Sequence, residues 1–251
     1  MAATEAEPMT SSVYVYGIVR SGAVSDVKSE GIGGGAVEQI ERDGLAALVT
    51  ELPATELRVK RRDLDRHLRV LEEVNETATV VPCSFATVSG RDDVANSLLV
   101  DRRADLTSAL DRLDGKVQMN VKAVYVEEEL LREIVKTNPQ VAGLRAGAQG
   151  GRTGGYHAQL ELGEVVAAAV ENRRGRDADR LVRELAGSAA DVVVDAPDDA
   201  ALKASFLVPR ASLDRFDTNV EAIARREQPL LQFEVFGPLP PTAFASAYAE
   251  V

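Results

Sequence analysis

The chain has 251 residues, 45% of them hydrophobic and 4% aromatic, and its 40 acidic and 29 basic residues give a net charge of −11. That length suits two domains or one large one, and the negative charge repels phosphate backbones and anionic lipids, so we expect no nucleic-acid and no membrane binding. The single cysteine, Cys83, excludes an internal disulfide, and with two histidines it cannot form a standard zinc site.

The first eleven residues predict a disordered tail. They are small and acidic, and they lack the basic and apolar regions of a signal peptide. No later run approaches the roughly 18 apolar residues that a membrane span needs. We therefore expect a cytoplasmic protein.

The following residues alternate short strands and helices. Residues 13–20 are apolar on both alternating faces, which predicts an interior strand, and Asp43 with Gly44 predicts a tight hairpin turn. Apolar residues at helical spacing predict an amphipathic helix that ends near Asn75. Its predicted buried stripe contains Leu64, His67, Leu68, Leu71 and Val74.

The middle of the chain predicts further strands around a broken helix. The run "TATVVPCSFATV" predicts an edge strand or two short strands around a bulge, because Pro82 interrupts it. A helix over residues 91–113 is expected to bend or break at Arg102. Strict alternation over residues 116–125 then predicts a half-exposed antiparallel strand.

From that strand onward, the order is strand, helix, strand, strand, helix, strand, which is typical of a ferredoxin-like fold. Within it we expect a flexible loop at residues 143–155 and a helix over residues 156–186 whose charged middle is solvated. A later helix is expected to bury one face, which carries Leu213, Phe216, Val220 and Ile223. The sequence therefore predicts an α+β protein with two domains, each an antiparallel sheet backed by helices. Residues 12–126 are predicted to form a looser α+β relative of the ferredoxin-like fold, and residues 127–251 a ferredoxin-like domain with a C-terminal proline-rich extension.

The C-terminal stretch "FEVFGPLPPTAF" changes character in the middle. Its first residues predict a strand, and we expect Gly237, Pro238, Pro240 and Pro241 to stop that strand and leave the sheet as a stiff extended arm. Such an arm loses little entropy when it binds a partner, although it can equally wrap its own domain with Phe244 packed back.

No residue pattern in the sequence indicates a catalysed reaction. The stretch "GIGGGA" matches a dinucleotide motif by letter, but no strand runs into it and no helix leaves it, so a mobile loop is the preferred interpretation. Cys83 lies in an apolar run and His67 on a helix stripe, where buried structural roles are more common than a nucleophile and base. Carboxylates 127–129 suit a helix start better than a cation site. We therefore expect no cofactor and no enzyme.

Four segments together resemble the gas vesicle protein F/L family, GvpL/GvpF. They are "YVYGIV", "VVPCSFATV", "GRTGGY" and, most specifically, "FEVFGPLPPTAF", and they extend over nearly the whole chain. The sequence departs from the family pattern at Leu239 and Thr242, where aromatic residues are common, and at Ser84 and Ala86, where a basic residue and a glycine are usual.

The resemblance implies an accessory or minor structural protein of gas vesicles. It implies two modified ferredoxin-like domains, a role in shell assembly, and contact with the apolar main shell protein and with other gas vesicle accessory proteins. The candidate partner-binding residues are Phe236, Gly237, Pro238, Pro240, Pro241 and Phe244. The rival hypothesis is a ferredoxin-like enzyme or small-molecule-binding regulator.

Overall fold

The structure is a computed structural model that describes residues 12–52, 61–150, 155–196 and 199–245, with only the backbone described at 146–150 and 155–158. The predicted disordered tail, residues 1–11, lies outside this part. The chain divides into two compact units. Unit 1 comprises residues 1–118 and 238–251, and unit 2 comprises residues 119–237. The domain limits inferred from the sequence, 12–126 and 127–251, stay a prediction.

Unit 1 contains a five-stranded antiparallel sheet. Its central strand has seven consecutive buried residues, which confirms the predicted interior strand, and both φ angles at Asp43 and Gly44 are positive, as a two-residue hairpin requires. The order is β2-β3-β1-β4, with β5 also paired with β1, so the proline-interrupted run forms two short strands. The strands are β1 (Ser12–Arg20), β2 (Glu38–Arg42), β3 (Leu45–Glu51), β4 (Val81–Pro82) and β5 (Val88–Gly90).

Helix α1 (Arg61–Thr77) packs against this sheet, but its buried face differs from the predicted stripe. His67, Leu71 and Val74 are buried as expected, whereas Leu64 and Leu68 are 38% and 36% exposed. The helix is rotated because Val70 packs against the sheet and the polar Asp63 and Asn75 are buried as well. The sequence-based prediction placed every leucine of this stripe on the buried face.

The second helical region of unit 1 is broken at Arg102, as predicted. Arg102 has φ −100° and ψ 13°, outside helical geometry. The helical pieces before and after it contact the sheet strands through buried aliphatic residues. They are α2 (Arg91–Asp93), a π-helical segment (Val94–Asp101) and α3 (Arg103–Leu113).

The glycine loop before β2 was expected to be mobile, yet it is packed. Residues Ile32–Gly34 form one 3-10 turn, and the Ile32 amide donates a hydrogen bond to the Tyr16 hydroxyl at 2.7 Å. A Cβ at Gly31 would lie 2.2 Å from Thr50 Oγ1, so only glycine fits at this position. Gly31 and Gly35 therefore let the loop pack closely on β1 and β3, whereas Gly33 and Gly34 have positive φ angles and no close neighbour.

Unit 2 is organised around a four-stranded sheet of order β7-β8-β6-β9. Three helices connect β6 with β7 and one connects β8 with β9, which confirms the α+β class and the ferredoxin-like order with an enlarged first crossover. The strands are β6 (Lys116–Tyr125), β7 (Asp191–Val194), β8 (Ala200–Pro209) and β9 (Leu231–Leu239). The helices are α4 (Glu127–Thr137), α5 (Pro139–Gly150), α6 (Gly155–Ala186) and α7 (Leu213–Glu227).

The core of unit 2 lies between this sheet, α6 and α7. Phe216, Val220 and Ile223 of α7 are buried as the periodicity predicted, and the Phe216 ring lies 5.4 Å from that of Phe206 on β8. Strand β6 is less exposed than predicted. Its polar face includes Gln118, which is 3% exposed because its side-chain oxygen accepts a hydrogen bond from the Ala243 amide.

The predicted loop at 143–155 is wrong over its first part, since α5 continues to Gly150. Pro139 opens this helix, Asn138 Oδ1 accepts hydrogen bonds from the amides of Gln140 and Val141, and the buried Val141 packs with α4 and α6. A cap and tertiary packing outweigh the helix cost of the glycines. Residues 151–154 lie outside the described part of the chain.

Helix α6 confirms the long helix, and its charged middle is exposed as expected at Glu171, Arg176 and Asp179 but not at Asp177. Asp177, in the centre of that segment, is 4% exposed. Among the described residues, no helix combines the length and apolar character needed to cross a bilayer.

Candidate functional site

Strand β9 forms one edge of the unit 2 sheet. It pairs with β6 on one side, and no other described strand pairs with its outer side. From Glu234 to Pro238 every residue is exposed, including Val235 at 40% and Phe236 at 56%. Successive side chains of a strand point to opposite faces, so the exposure of two neighbouring apolar residues shows that neither face is covered here. Backbone groups and apolar side chains are thus accessible together.

The expectation that Gly237 and Pro238 stop the strand is wrong, because β9 continues through both to Leu239. Gly237 has φ 151°, a value that residues with a Cβ rarely adopt, and this lets the chain stay extended into Pro238. A proline lacks an amide donor, but an edge strand tolerates it since one row of its backbone groups is unpaired. Pro238 therefore limits how far another strand could pair rather than ending β9.

The last predicted site residues are buried. Pro240 and Pro241 are both buried, and the 3-10 turn Thr242–Phe244 places the Phe244 side chain in the interior at 5% exposure. The Ala243 amide donates to Gln118 Oε1 at 2.8 Å. Phe244 therefore packs back on the protein, as one of the two sequence-based interpretations held, and the prolines are not a free arm.

The six predicted residues consequently divide into two groups. Phe236, Gly237 and Pro238 lie on the exposed strand, whereas Pro240, Pro241 and Phe244 anchor the chain that follows it. Sequence reasoning omitted Val235 and Glu234 from the site. Only the tertiary structure shows that this end of the strand lacks a cover on either face.

Cys83 and His67 are buried, as predicted. Burial raises the pKa of the Cys83 thiol to about 12, and burial lowers the pKa of His67 to about 4 despite a hydrogen bond to the backbone of Cys83. Tyr14 Oη lies 3.0 Å from His67 Nδ1. Near neutral pH the thiol and the imidazole are both uncharged, so this pair is suited to packing rather than to nucleophilic attack.

A charged network that the sequence analysis missed lies between α6 and its neighbours. Asp177 accepts hydrogen bonds from Arg173 Nε at 2.7 Å, from the Tyr125 hydroxyl at 2.8 Å and from Arg180 at 3.1 Å, and Arg180 also forms two bonds with Glu227, at 2.7 and 3.0 Å. Burial alone would raise the pKa of Asp177, but the donors outweigh it and the pKa lies below its ordinary value. The helical spacing of Arg173, Asp177 and Arg180 is the signal that could have found the network.

The described residues contain no group of three or more His, Cys, Asp or Glu side chains placed to hold a metal ion. The run Glu127–Glu129 forms the first turn of α4, where negative charge suits the helix N-terminus.

Comparison with known proteins gives a consistent family assignment. The family model for gas vesicle synthesis protein GvpL/GvpF matches residues 12–246. "Gas vesicle protein F" of Streptomyces sp. (strain CB03234) is 38% identical over 93% of this chain and 99% of its own length. "Gas vesicle protein L" of the same strain is 28% identical and covers 94% of each chain.

Two solved structures share the fold. The crystal structure of GvpF from Anabaena sp. PCC7120 matches with a TM-score of 0.83 at 22% identity, over 94% of this chain and 98% of that one. GvpF from Microcystis aeruginosa matches with a TM-score of 0.76 at 24% identity, over 94% and 100% of the two chains.

Proposed function

Because the chain belongs to the gas vesicle synthesis protein GvpL/GvpF family, we propose that it is an accessory or minor structural protein of gas vesicles that assists shell assembly by contacting the apolar main shell protein. Its relatives are gas vesicle proteins F and L, which supports a gas-vesicle-associated role. The proposal places the protein at the vesicle, with the shell protein and other gas vesicle accessory proteins as partners, and assigns it no catalysis.

The observation that carries the contact is the uncovered edge of β9. An apolar partner segment can add to this edge as a further strand, with backbone hydrogen bonds supplying affinity and side chains supplying selectivity. Val235 and Phe236 offer apolar area on the two faces of the strand, with exposures of 40% and 56%. Glu234 and Pro238 flank them and disfavour pairing between two copies of this edge, since charge and proline are the usual protection of edge strands.

In this proposal the remaining site residues act indirectly. Gly237 keeps the chain extended, and the buried Pro240, Pro241 and Phe244 fix the end of β9, so the edge is ordered before the partner arrives. Pre-ordering reduces the entropy lost on binding. The partner then contacts Val235, Phe236 and Pro238, whereas the buried residues set the position of the strand.

The test is capture of the purified shell protein by the double variant Val235→Ser/Phe236→Ser. We expect capture to fall about tenfold or more, because two exposed apolar side chains are removed from the contact. The matched control is Val194→Ser/Leu131→Ser, which removes two apolar side chains of similar exposure, 51% and 41%, one of them on the opposite edge strand β7. Equal capture by the two double variants would refute the assignment to β9.

A second variant separates direct from indirect residues. Replacing Pro238, Pro240 and Pro241 together by alanine should lower both stability and capture, because each proline contributes roughly 0.4 to 1 kcal/mol of pre-ordering at a compatible position. Circular dichroism and thermal unfolding measure the first effect, and capture at low and high salt measures the second. Since the contact is apolar and backbone-mediated, capture should depend little on salt.

A further inference from the structure

A cavity of about 870 Å³ lies along α6 beside the junction of α4 and α5. Four arginines of α6 line it at intervals of three and four residues, which places them on one side of the helix. They are Arg173, Arg176, Arg180 and Arg183. Because two aspartates, Asp177 and Asp179, also line the cavity, its charged lining is net positive in a chain whose total charge is −11.

These arginines differ in how many of their N–H groups already donate hydrogen bonds within the protein. Arg180 bonds both Asp177 and Glu227 through its two terminal nitrogens, and Arg173 bonds Asp177 through Nε. Arg176 and Arg183 are exposed and have no carboxylate partner among the described residues. The buried Asp177 therefore fixes the middle of the cavity wall, and Arg176 and Arg183 remain available to an added acid group.

The spacing indicates the kind of ligand. Arg173 and Arg183 are ten residues apart, which corresponds to about 15 Å along a helix. A single phosphate or carboxylate cannot contact arginines over that length. A continuous phosphate backbone is disfavoured by the exposed Asp179 and by the net charge. Among the residues that the structure describes, no aromatic side chain lines the cavity to stack on a base. Carboxylates spaced along a polypeptide fit best, since guanidinium groups bind them in bidentate geometry.

We propose that this groove, defined by Arg173, Arg176, Arg180 and Arg183, binds an acidic segment of a partner protein. Arg176 and Arg183 form the direct ion pairs, and Asp177 holds Arg173 and Arg180 in place. The proposal does not depend on the β9 edge. Binding in the groove is ionic and strongly weakened by salt, whereas the contact proposed for β9 is apolar.

The test uses a labelled alanine-rich peptide with glutamates at three- and four-residue spacing, followed by fluorescence anisotropy. We expect saturable binding at low salt that is lost at high salt, and about tenfold weaker binding to Arg176→Gln/Arg183→Gln. The matched control is Arg215→Gln/Arg225→Gln, which removes the same charge from exposed positions of α7 in the same unit, and it should change binding less than twofold. Arg176→Lys/Arg183→Lys keeps the charge without the fork and should be intermediate.

Three outcomes would overturn the proposal. The first is no binding to the unaltered protein, and the second is equal weakening by the two glutamine double variants, which would show only the effect of overall charge. The third is stronger binding of a single-stranded oligonucleotide than of the peptide, which would assign the groove to nucleic acid. Circular dichroism checks that each variant is folded.

Discussion

The main buried hydrogen-bond networks of the two units, around His67 in unit 1 and around Asp177 in unit 2, differ in charge. In unit 1 the network around His67 consists of neutral groups, although the ion-paired Asp63 is buried in the same unit. The Ala86 amide donates to Tyr14 Oη, the Tyr14 hydroxyl lies 3.0 Å from His67 Nδ1, and rings of Tyr16 and Phe85 flank the imidazole at 5.8 and 5.7 Å. In unit 2 the buried group is ionic, since Asp177 is held by Arg173 and Arg180.

The difference decides how each unit responds to acid. Burial lowers the pKa of His67 from 6.5 to about 4, so the folded state resists a proton that the unfolded state takes up. The pKa values of Asp177 and Glu227 are lowered from 3.8 and 4.5, so their contributions are lost only when the pH falls below those values. Between pH 6.5 and about 4.5, the neutral network is therefore the sensitive one.

The largest predicted effect is the loss of stability when mild acid protonates His67 in the neutral network. The stabilisation by neutral His67 is complete above pH 6.5 and is lost as the pH falls to about 4, which costs about 3 kcal/mol at 1.36 kcal/mol per pKa unit. Urea unfolding at a series of pH values measures the loss. Hydrogen exchange should show that β1 loses protection in this range before β6 does. An unchanged pH slope in His67→Gln would contradict the assignment.

The next largest effect on stability is expected when a substitution disrupts the ionic network around Asp177. Asp177→Ala leaves Arg173, Arg180 and Tyr125 without their shared acceptor and should lower the free energy of unfolding by about 2 kcal/mol, less than for a fully buried pair because both arginines are partly exposed. Urea unfolding at pH 7 measures it. Asp179→Ala, two residues away at an exposed position, is the control and should change stability little. Equal effects would show that the burial of Asp177 is unimportant.

A smaller effect on stability is expected from a substitution that stabilises α6 and leaves its ion pairs intact. Gly175 lies within this helix, and a Cβ there would meet no atom within 4 Å. Gly175→Ala should therefore stabilise the protein by about 0.8 kcal/mol, the helix cost of glycine relative to alanine. Thermal unfolding measures the gain, and a lower midpoint would be the contrary result.

The smallest effect concerns the backbone of the neutral network. Ala86 has φ 68°, which costs a residue with a Cβ about 1–2 kcal/mol, whereas glycine adopts it freely. Ala86→Gly should stabilise unit 1 by roughly 0.5 kcal/mol, since the more flexible unfolded chain offsets part of the relief. A loss of stability in thermal unfolding would show that the strain at Ala86 is compensated elsewhere.

Much of the candidate site followed from local sequence, but its division did not. The strand and the later packing of Phe244 were both among the sequence-based expectations. By contrast, sequence reasoning treated all six site residues as one segment. Burial of Pro240, Pro241 and Phe244 depends on contacts with distant residues, such as the bond from Ala243 to Gln118 across 125 positions.

By itself the sequence determined the features set by short-range patterns: the Asp43–Gly44 hairpin, the break at Arg102, the buried face of α7 and the α+β element order. These depend on backbone preferences and on hydrophobic spacing within one element. Only the tertiary structure decided that Asp177 is buried, that α5 continues through its glycines to Gly150, and that β9 passes through Pro238. The hydrogen bonds of Asp177, the packing of α5 and the edge position of β9 each outweigh the conformational preference of the local sequence.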